Sequence, residues 1–567
     1  MSSLFGILGV AKSALFASQL ALQTTSNNVA NAGRRGYSRQ RVDLKESPPE
    51  TLPVGQLGTG VRVDGIRRLR DQFADTQFRQ ASQTLGQGEA ELSGLRQIQG
   101  IFGEPSDSGL QASLAEFFAA MQELANDPAD PTARTDVKER GMILAGDFHR
   151  IQSDLTLTKR NVESEIVARV GEVNTLLQQI ATLNGQIQAI VVAGGSPNEL
   201  LDQRDELADG LSRLVAVTSR QRSDGTLSIG LLGGGGTLVD TTTAAQLSAR
   251  LSATSDDYQI LIGGTATSVS GGELKGLLNV RNDPTSYLKY AQDQMDTLAR
   301  GVILEFNRLQ ASGIGLQGLT SLTSENAVSD PAAALTAAGL SFTPKTGSFK
   351  VFVYDGTGAV TASGTATITA GTTSLNDMAT ALNGVAGLTA TVSGGRLTLS
   401  SGAGSTFAFA ADTSDSLAAL GLHSFFSGTN AQSMAVSAAI QADVRTIAAA
   451  TPDASTGAFS PGDNSTALAM AQLREGLIMQ GGAATFDDFF ASTIGVIGSR
   501  TQAATRVNES QQLVTTTVDN RRQEVSGVSL DEEMADLIQF QHTFEASARV
   551  IQVVDDLLDT VVNGLLR

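Results

Sequence analysis

At 567 residues the chain is longer than one ordinary core organises, so about three or four domains are expected. Its 41% hydrophobic content is enough for packed domains, while 5% aromatic content and no Trp make the cores largely aliphatic. The net charge of −18 disfavours nonspecific binding to nucleic acid or anionic lipid, and the absence of Cys excludes disulfides, thiol catalysis and Cys-ligated metals.

The chain opens on an amphipathic helix. Leu4, Leu8, Ala11, Leu15, Ser18, Leu22, Thr25 and Val29 alternate steps of four and three, the spacing of a coiled-coil seam. Phe5, Phe16 and Leu20 widen the apolar surface beyond that seam. The stretch does not read as a signal peptide, because it lacks a basic n-region and Lys12 interrupts the apolar run. No uninterrupted run of about 18 apolar residues occurs, so no membrane insertion is expected. The helix leads into NNVANAGRRGYSRQR, residues 27 to 41. Asn, Gly, one Tyr and the arginines Arg34, Arg35, Arg39 and Arg41 stand there without an acid or His.

Helices are expected around 70–100, 110–125, 133–150 and 151–193. The last contains Ile166, Val170, Val173, Leu177, Ile180, Asn184, Ile187 and Val191 at steps of four and three. Asn184 takes a seam position, where a polar side chain fixes register at some cost in stability. Gly194, Gly195 and Pro197 end this helix. Further helices are expected at 198–214, 284–310 and 465–525.

Two β-rich inserts interrupt the helices. Residues 218–275 hold short apolar runs divided by Gly. Residues 340–430 hold strands, a helical SLNDMATALNGV and a hairpin turning at Gly394-Gly395. Residues 451–464 read as a loop. The chain closes on a second amphipathic helix with Met534, Leu537, Phe540, Phe544, Ile551, Val554, Leu558, Val561 and Leu565 on one broad apolar face. Ser529 is expected to cap it with Glu532 in a capping box, and Asp531 and Glu533 suit the positive helix end.

Catalytic and cofactor motifs fail one by one. His149, His423 and His542 show no metal-ligand spacing, and GLLGGGG (230–236) lacks the Gly-Lys-Ser/Thr of a phosphate loop. Asp202, Asp205, Glu206 and Asp209 in LDQRDELAD are expected to form a solvated helix face. No nucleophile has a companion base, so no enzyme activity, metal or cofactor is expected.

NNVANAGRRGYSRQR resembles the N-terminal signature of bacterial flagellar axial proteins, usually Asn-x-x-Thr-Pro-Gly-Tyr-Ser-Arg-Gln. Asn31, Gly36, Tyr37, Ser38, Arg39 and Gln40 match, while Arg34 and Arg35 stand in place of Thr and Pro. SGVSLDEEMADLIQFQHTFEASARVIQVVDDLLDTVV (526–562) is similar to the C-terminal helix of the same group. SLAEFFAAMQELANDPADPTAR (113–134), NELLDQRDELADGLSRLV (198–215) and GGELKGLLNVRND (271–283) look like the helical body of the hook-associated members, which join hook to filament. Residues 347–402 resemble a β module shared with flagellins and the filament cap.

The resemblance implies an α+β multidomain fold. Residues 1–50 with 525–567 would form a terminal coiled-coil assembly domain, and 51–217 with 276–325 and 435–524 an elongated helical body. Residues 218–275 would be a small β-rich domain and 326–434 an inserted outer β-rich domain. The implied role is structural, as a ring of roughly eleven copies meeting the hook protein and a second junction protein, hook-associated protein 3. Export through the flagellar type III apparatus to the cell exterior is implied, with a dedicated chaperone on the C-terminal helix and no nucleic-acid partner. Assembly contacts are expected at Leu4, Leu8, Leu15, Leu22 and Val29, at Asn31 and Gly36 to Gln40, and on the C-terminal apolar face from Met534 to Leu565. Arg39 and Arg41 are expected to pair with acids of the next subunit. The alternatives are a hook or distal rod protein, or a secreted adhesin.

Overall fold

The computed structural model describes residues 2–52, 55–104, 106 and 109–565. Long helices at both ends, a helical body and several small antiparallel sheets make an α+β multidomain chain, as the sequence leads one to expect. Contacts divide it into two units, one of Met1–Gly94, Val162–Asn282 and Gln502–Arg567, the other of Leu95–Asn161 and Asp283–Thr501.

In the first unit the N-terminal helix, Ser2–Asn31, packs along the C-terminal helix, Leu530–Leu565. After the N-terminal helix comes an antiparallel ribbon that the sequence reading missed, Gln40–Glu46 against Val61–Arg68. Its two-residue alternation is present, with Val42 and Leu44 opposite Ile66 and Val63 on one face and Arg41, Asp43 and Lys45 opposite Arg67, Gly65 and Arg62 on the other, but the charged residues outnumber the apolar ones and most of these side chains are half-exposed or exposed.

Residues 133–150 and 151–193, expected as two helices, are one helix of 62 residues, Pro131–Val192. No Gly-Pro punctuation separates them, so nothing stops propagation. Its apolar face over Ile166–Ile187 is buried. Asn184, fully buried, donates to the carbonyls of Leu227 and Thr241 and accepts from the Leu227 N–H at 2.9 Å. Asn174 does the same with both backbone groups of Leu247. Asn184 therefore fixes a sheet onto the helix instead of setting coiled-coil register. The sheets it serves are four-stranded, Val217–Gln221 to Thr243–Ala244, and three-stranded, Leu247–Leu251 to Thr265–Thr267.

In the second unit, the strand Gly347–Tyr354 is central between Val360–Ile368 and Thr406–Ala410. The expected helix is Leu375–Asn383, closed by a reciprocal capping box between Ser374 and Asp377. The expected hairpin pairs Leu388–Ser393 with Arg396–Ser401, and both Gly394 and Gly395 have positive φ, as a type I′ turn needs. Phe349, Val351, Leu397, Leu399, Phe407 and Phe409 are all fully buried in one core. A separate aromatic cluster joins Phe117, Phe306, Phe425 and Phe426, with ring centroids 4.8–5.6 Å apart. The expected helix at 465–525 is broken into Ser465–Gln472 and Phe486–Ser526, because Gly481 and Gly482 adopt positive φ between them.

Candidate assembly interface

The N-terminal helix carries a single charge, Lys12, in 30 residues. Between the C-terminal helix and the ribbon strands it buries small side chains, Ala11, Ala17, Ser18, Ala21, Thr24 and Thr25, all at or below 7% exposure. Small residues let the two helices approach closely. The consequence is that the larger predicted seam residues Leu4, Leu8, Leu15, Leu22 and Val29 are only half-buried, and the buried stripe runs to one side of the predicted one. Phe5 and Phe16 are 56% and 60% exposed.

On the C-terminal helix the seam keeps its heptad spacing through Glu533, Leu537, Phe540, Phe544, Ser547, Ile551, Val554 and Leu558. Val554 is buried, and Leu537, Phe540, Phe544, Ile551 and Leu558 are half-buried. Met534 and Val561 are exposed, and Leu565 closes the helix with its side chain outside the described residues. A second apolar line, Ile538, Val550, Val553, Leu557 and Val562, faces solvent at 41–56% exposure. By length and hydropathy alone, Leu4–Asn31 could cross a membrane, a point the run-of-apolar test missed because Ser, Thr and Gln interrupt it without adding charge.

The signature loop is held by one asparagine whose four hydrogen bonds are all made. Asn28, 1% exposed, donates to the Gln40 carbonyl at 2.9 Å and to Glu533 Oε2 at 2.8 Å. Its Oδ1 accepts from the Tyr37 hydroxyl at 2.8 Å and the Gln40 N–H at 2.9 Å. Gly36 makes the turn at φ +81, where a Cβ would stand 3.1 Å from Glu206 Oε2. Asn31 stays at the helix end and donates to Asn27. Burial first, and then the negative charges of Asp202, Glu533 and Glu199, push the Tyr37 hydroxyl up to about 12, so it remains a donor.

Arg39 grips the start of the C-terminal helix. Its Nε lies 2.5 Å from Glu533, Nη1 2.6 Å from Glu532 and Nη2 3.2 Å from Asp536, and its N–H donates to the Ser526 carbonyl. Arg41 lies 3.7 Å from Asp43. Arg39 thus has three acids of its own chain within reach, and Arg41 has one at a longer distance. The DEE triplet is likewise more than a cap. Ser529 Oγ is 3.5 Å from the Glu532 N–H, while the Glu532 and Glu533 carboxylates turn to Arg39. Their spacing alone could not separate these roles, since the partner stands 494 positions away in sequence.

LDQRDELAD departs furthest from expectation. Asp202 and Asp205 are 6% exposed and Arg204 is fully buried. Asp202 accepts from Ser38 through its N–H at 3.0 Å and hydroxyl at 2.7 Å, which ties the signature loop to this helix. Arg68 bridges Asp202 and Asp205 at 2.8 and 2.7 Å. Arg79 and Arg522 meet on Asp209 at 2.7 and 2.5 Å, and Arg522 lies over the Phe78 ring at 3.9 Å. Burial alone would raise the Asp205 carboxyl, but Arg70, Arg68, Arg204 and Arg79 hold it down to about 2. The three arginines Arg68, Arg70 and Arg79 were the available signal: they oppose in sign the three acids Asp202, Asp205 and Asp209 that they meet. Only Glu206 keeps the expected exposure.

Beside the loop lies a cleft of about 1020 Å³ whose lining includes Arg34, Arg35, Glu206, Asp519 and Glu524. Among the described residues no group of three or more His, Asp or Glu is placed to hold a metal ion. The arrangement offers shape, charge and apolar surface.

Comparison with known proteins adds the family. A model of the flagellar hook-associated protein FlgK helical domain matches residues 95–323, and one of the flagellar basal body rod FlgEFG protein C-terminal region matches 520–565. The chain is 30% identical to flagellar hook-associated protein 1 of Bacillus subtilis (strain 168), over 100% of this chain and 99% of that protein. It is 29% identical to the Escherichia coli (strain K12) protein of the same name, over 99% and 100%. The solved structure of the flagellar hook junction protein FlgK from Burkholderia pseudomallei shares the fold at TM-score 0.54 and 19% identity, covering 80% of this chain and 100% of that one.

Proposed function

This chain belongs to the flagellar hook-associated protein 1 family, structural proteins of the flagellar hook–filament junction, and from that premise we propose how it assembles. Copies stand side by side as a closed ring of roughly eleven subunits, a heterologous interface repeated by rotation. The ring meets the hook protein on one side and a second junction protein, hook-associated protein 3, on the other. The terminal pair, 1–50 with 525–567, is the assembly domain; the helical body and the β-rich parts at 218–275 and 326–434 extend from it. The chain reaches the cell exterior through the flagellar type III apparatus, with a chaperone covering the C-terminal helix beforehand. The role calls for no catalysis and no cofactor.

One observation carries this reading. The terminal helices expose Phe5, Phe16, Ile538, Val553 and Leu557 in contiguous lines, where a finished monomer leaves only scattered apolar side chains. The assembly surface is then the outer face of the pair, with Leu4, Leu8, Leu15, Leu22, Met534 and Val561 at its margins. The loop from Gly36 to Gln40 aims that surface through bonds inside the chain.

Electron microscopy of cells lacking the gene, with flagellin assayed in the medium, tests the role. Hooks without filaments and free flagellin outside are expected. Normal filaments would sink the junction role, and missing hooks would move the chain down to rod or hook.

A further inference from the structure

Both ends of the chain meet at one carboxylate. Glu533, in the first turn of the C-terminal helix, is 1% exposed, and among the described residues it is the one charged side chain that the terminal pair buries. Its Oε2 accepts from Asn28 at 2.8 Å and its Oε1 from the Arg39 Nε at 2.5 Å.

Neither donor can turn into an acceptor. The Gln40 backbone fixes the Asn28 amide, its carbonyl accepting from Nδ2 and its N–H donating to Oδ1, both at 2.9 Å. The Tyr37 hydroxyl takes the other side of Oδ1, so a single Asn28 N–H is left to face the C-terminal helix. A guanidinium only donates. The signature loop therefore holds two fixed donors toward whatever side chain stands at this position. An ionised carboxylate answers both. An amide of the same size answers one and sets its own N–H against the other, which leaves buried donors unpaired. Elsewhere the two helices meet without such a choice. Among the described residues the bond from Asn28 to Glu533 is the only hydrogen bond between them, and Ser18 and Thr24 turn their hydroxyls back onto their own helix. Glu532 and Asp536 reach Arg39 from exposed positions, where water competes for the guanidinium.

We propose that Glu533 is the positioning residue of the terminal pair: the signature loop recognises it as two hydrogen-bond acceptors, and this recognition docks the C-terminal helix. The inference goes beyond the ring reading and stands apart from it, because Asn28, Tyr37, Arg39 and Gln40 act here inside one chain.

The absence of Cys lets two spin labels report the pair alone, at Ser26→Cys and Asp556→Cys, both exposed positions. The C-terminal helix starts beside Asn28 and runs back along the N-terminal helix, so the labels stand roughly 30 Å apart along the axis. Pulsed electron resonance on the full chain should give one narrow distance. Brief openings that admit hydrogen exchange leave the docked population dominant, so the label distance reads docking where exchange reads opening. Glu533→Gln should broaden the distribution about twofold or more. Glu545→Gln, which removes the same charge from an exposed site on the same helix, should not. Adding Arg39→Gln to Glu533→Gln should narrow the distribution again, because a Gln amide reaches as far as the Arg Nε and can turn its oxygen to meet the new N–H. Melting of the second unit, which holds none of these residues, shows that each variant is folded. A native distribution in Glu533→Gln overturns the inference, as does the absence of a single distance in the unsubstituted pair. Failure of Arg39→Gln to narrow the distribution also overturns it, since charge alone would then account for the docking. None of these outcomes alters the ring reading, which the electron microscopy tests.

Discussion

The β module around Gly347–Ala410 and the terminal helix pair are built from similar aliphatic residues and end in opposite states. In the module, Phe349, Val351, Leu397, Phe407 and Phe409 have no exposed surface at all. In the terminal pair the only large apolar side chain below 9% exposure among the described residues is Val554, and Phe16 stands at 60%. The module is a finished core. The pair is half of one. Two helices in contact cover only the stripe between them, so an all-round apolar sequence leaves surface that other chains must cover.

The largest effect should come from the finished side. Phe407→Ala removes a fully buried ring and should cost about 3–5 kcal/mol in the unfolding of the second unit, read by thermal melting. A change within about 0.5 kcal/mol would mean that the module is looser than its burial implies.

Next comes the ion cluster that fixes the signature loop. Asp205→Asn leaves Arg68 and Arg204 short of a buried partner and should cost about 3 kcal/mol in the first unit. The same residue sets an acid limit. Its carboxyl sits at about 2 in the folded chain against an ordinary 3.8, so the stability it contributes is complete above pH 4 and is lost as pH falls through 2. That contribution is about 2 kcal/mol, and the Asn variant should lack it in melts followed from pH 5 to 2. An unchanged acid slope would assign the limit to other carboxylates.

The smallest effect on the monomer should come from the unfinished side. Phe16→Ser touches an exposed ring and should change melting by no more than about 0.5 kcal/mol. It should nevertheless lower the fraction of cells with filaments. Loss of monomer stability by several kcal/mol would show that Phe16 serves an intrachain core after all.

The sequence reading recovered what depends on local pattern. Both terminal helices, the Ser374 capping-box helix and the Gly394-Gly395 hairpin follow from periodicity and turn chemistry, which act within a few residues. Distant charge pairing left no such trace. Asp202 and Asp205 look like a solvated face until Arg68, Arg70 and Arg79 are seen against them, and Glu533 looks like a cap until Arg39 arrives from the other end of the chain. The resemblance to axial proteins pointed to Ser38 and Arg39, but not to their bonds within the chain. The ribbon at 40–68 went unseen although Val42, Leu44, Val63 and Ile66 share one face, because charged side chains outnumber that apolar set.

Hydrogen exchange tests most directly the claim that the terminal pair is completed only by neighbours. Amides of Ser2–Asn31 and Leu530–Leu565 should exchange rapidly in the free chain and become protected in isolated flagella, while those of Gly347–Tyr354 are protected in both. Equal protection of the terminal helices in the free and assembled states would contradict it.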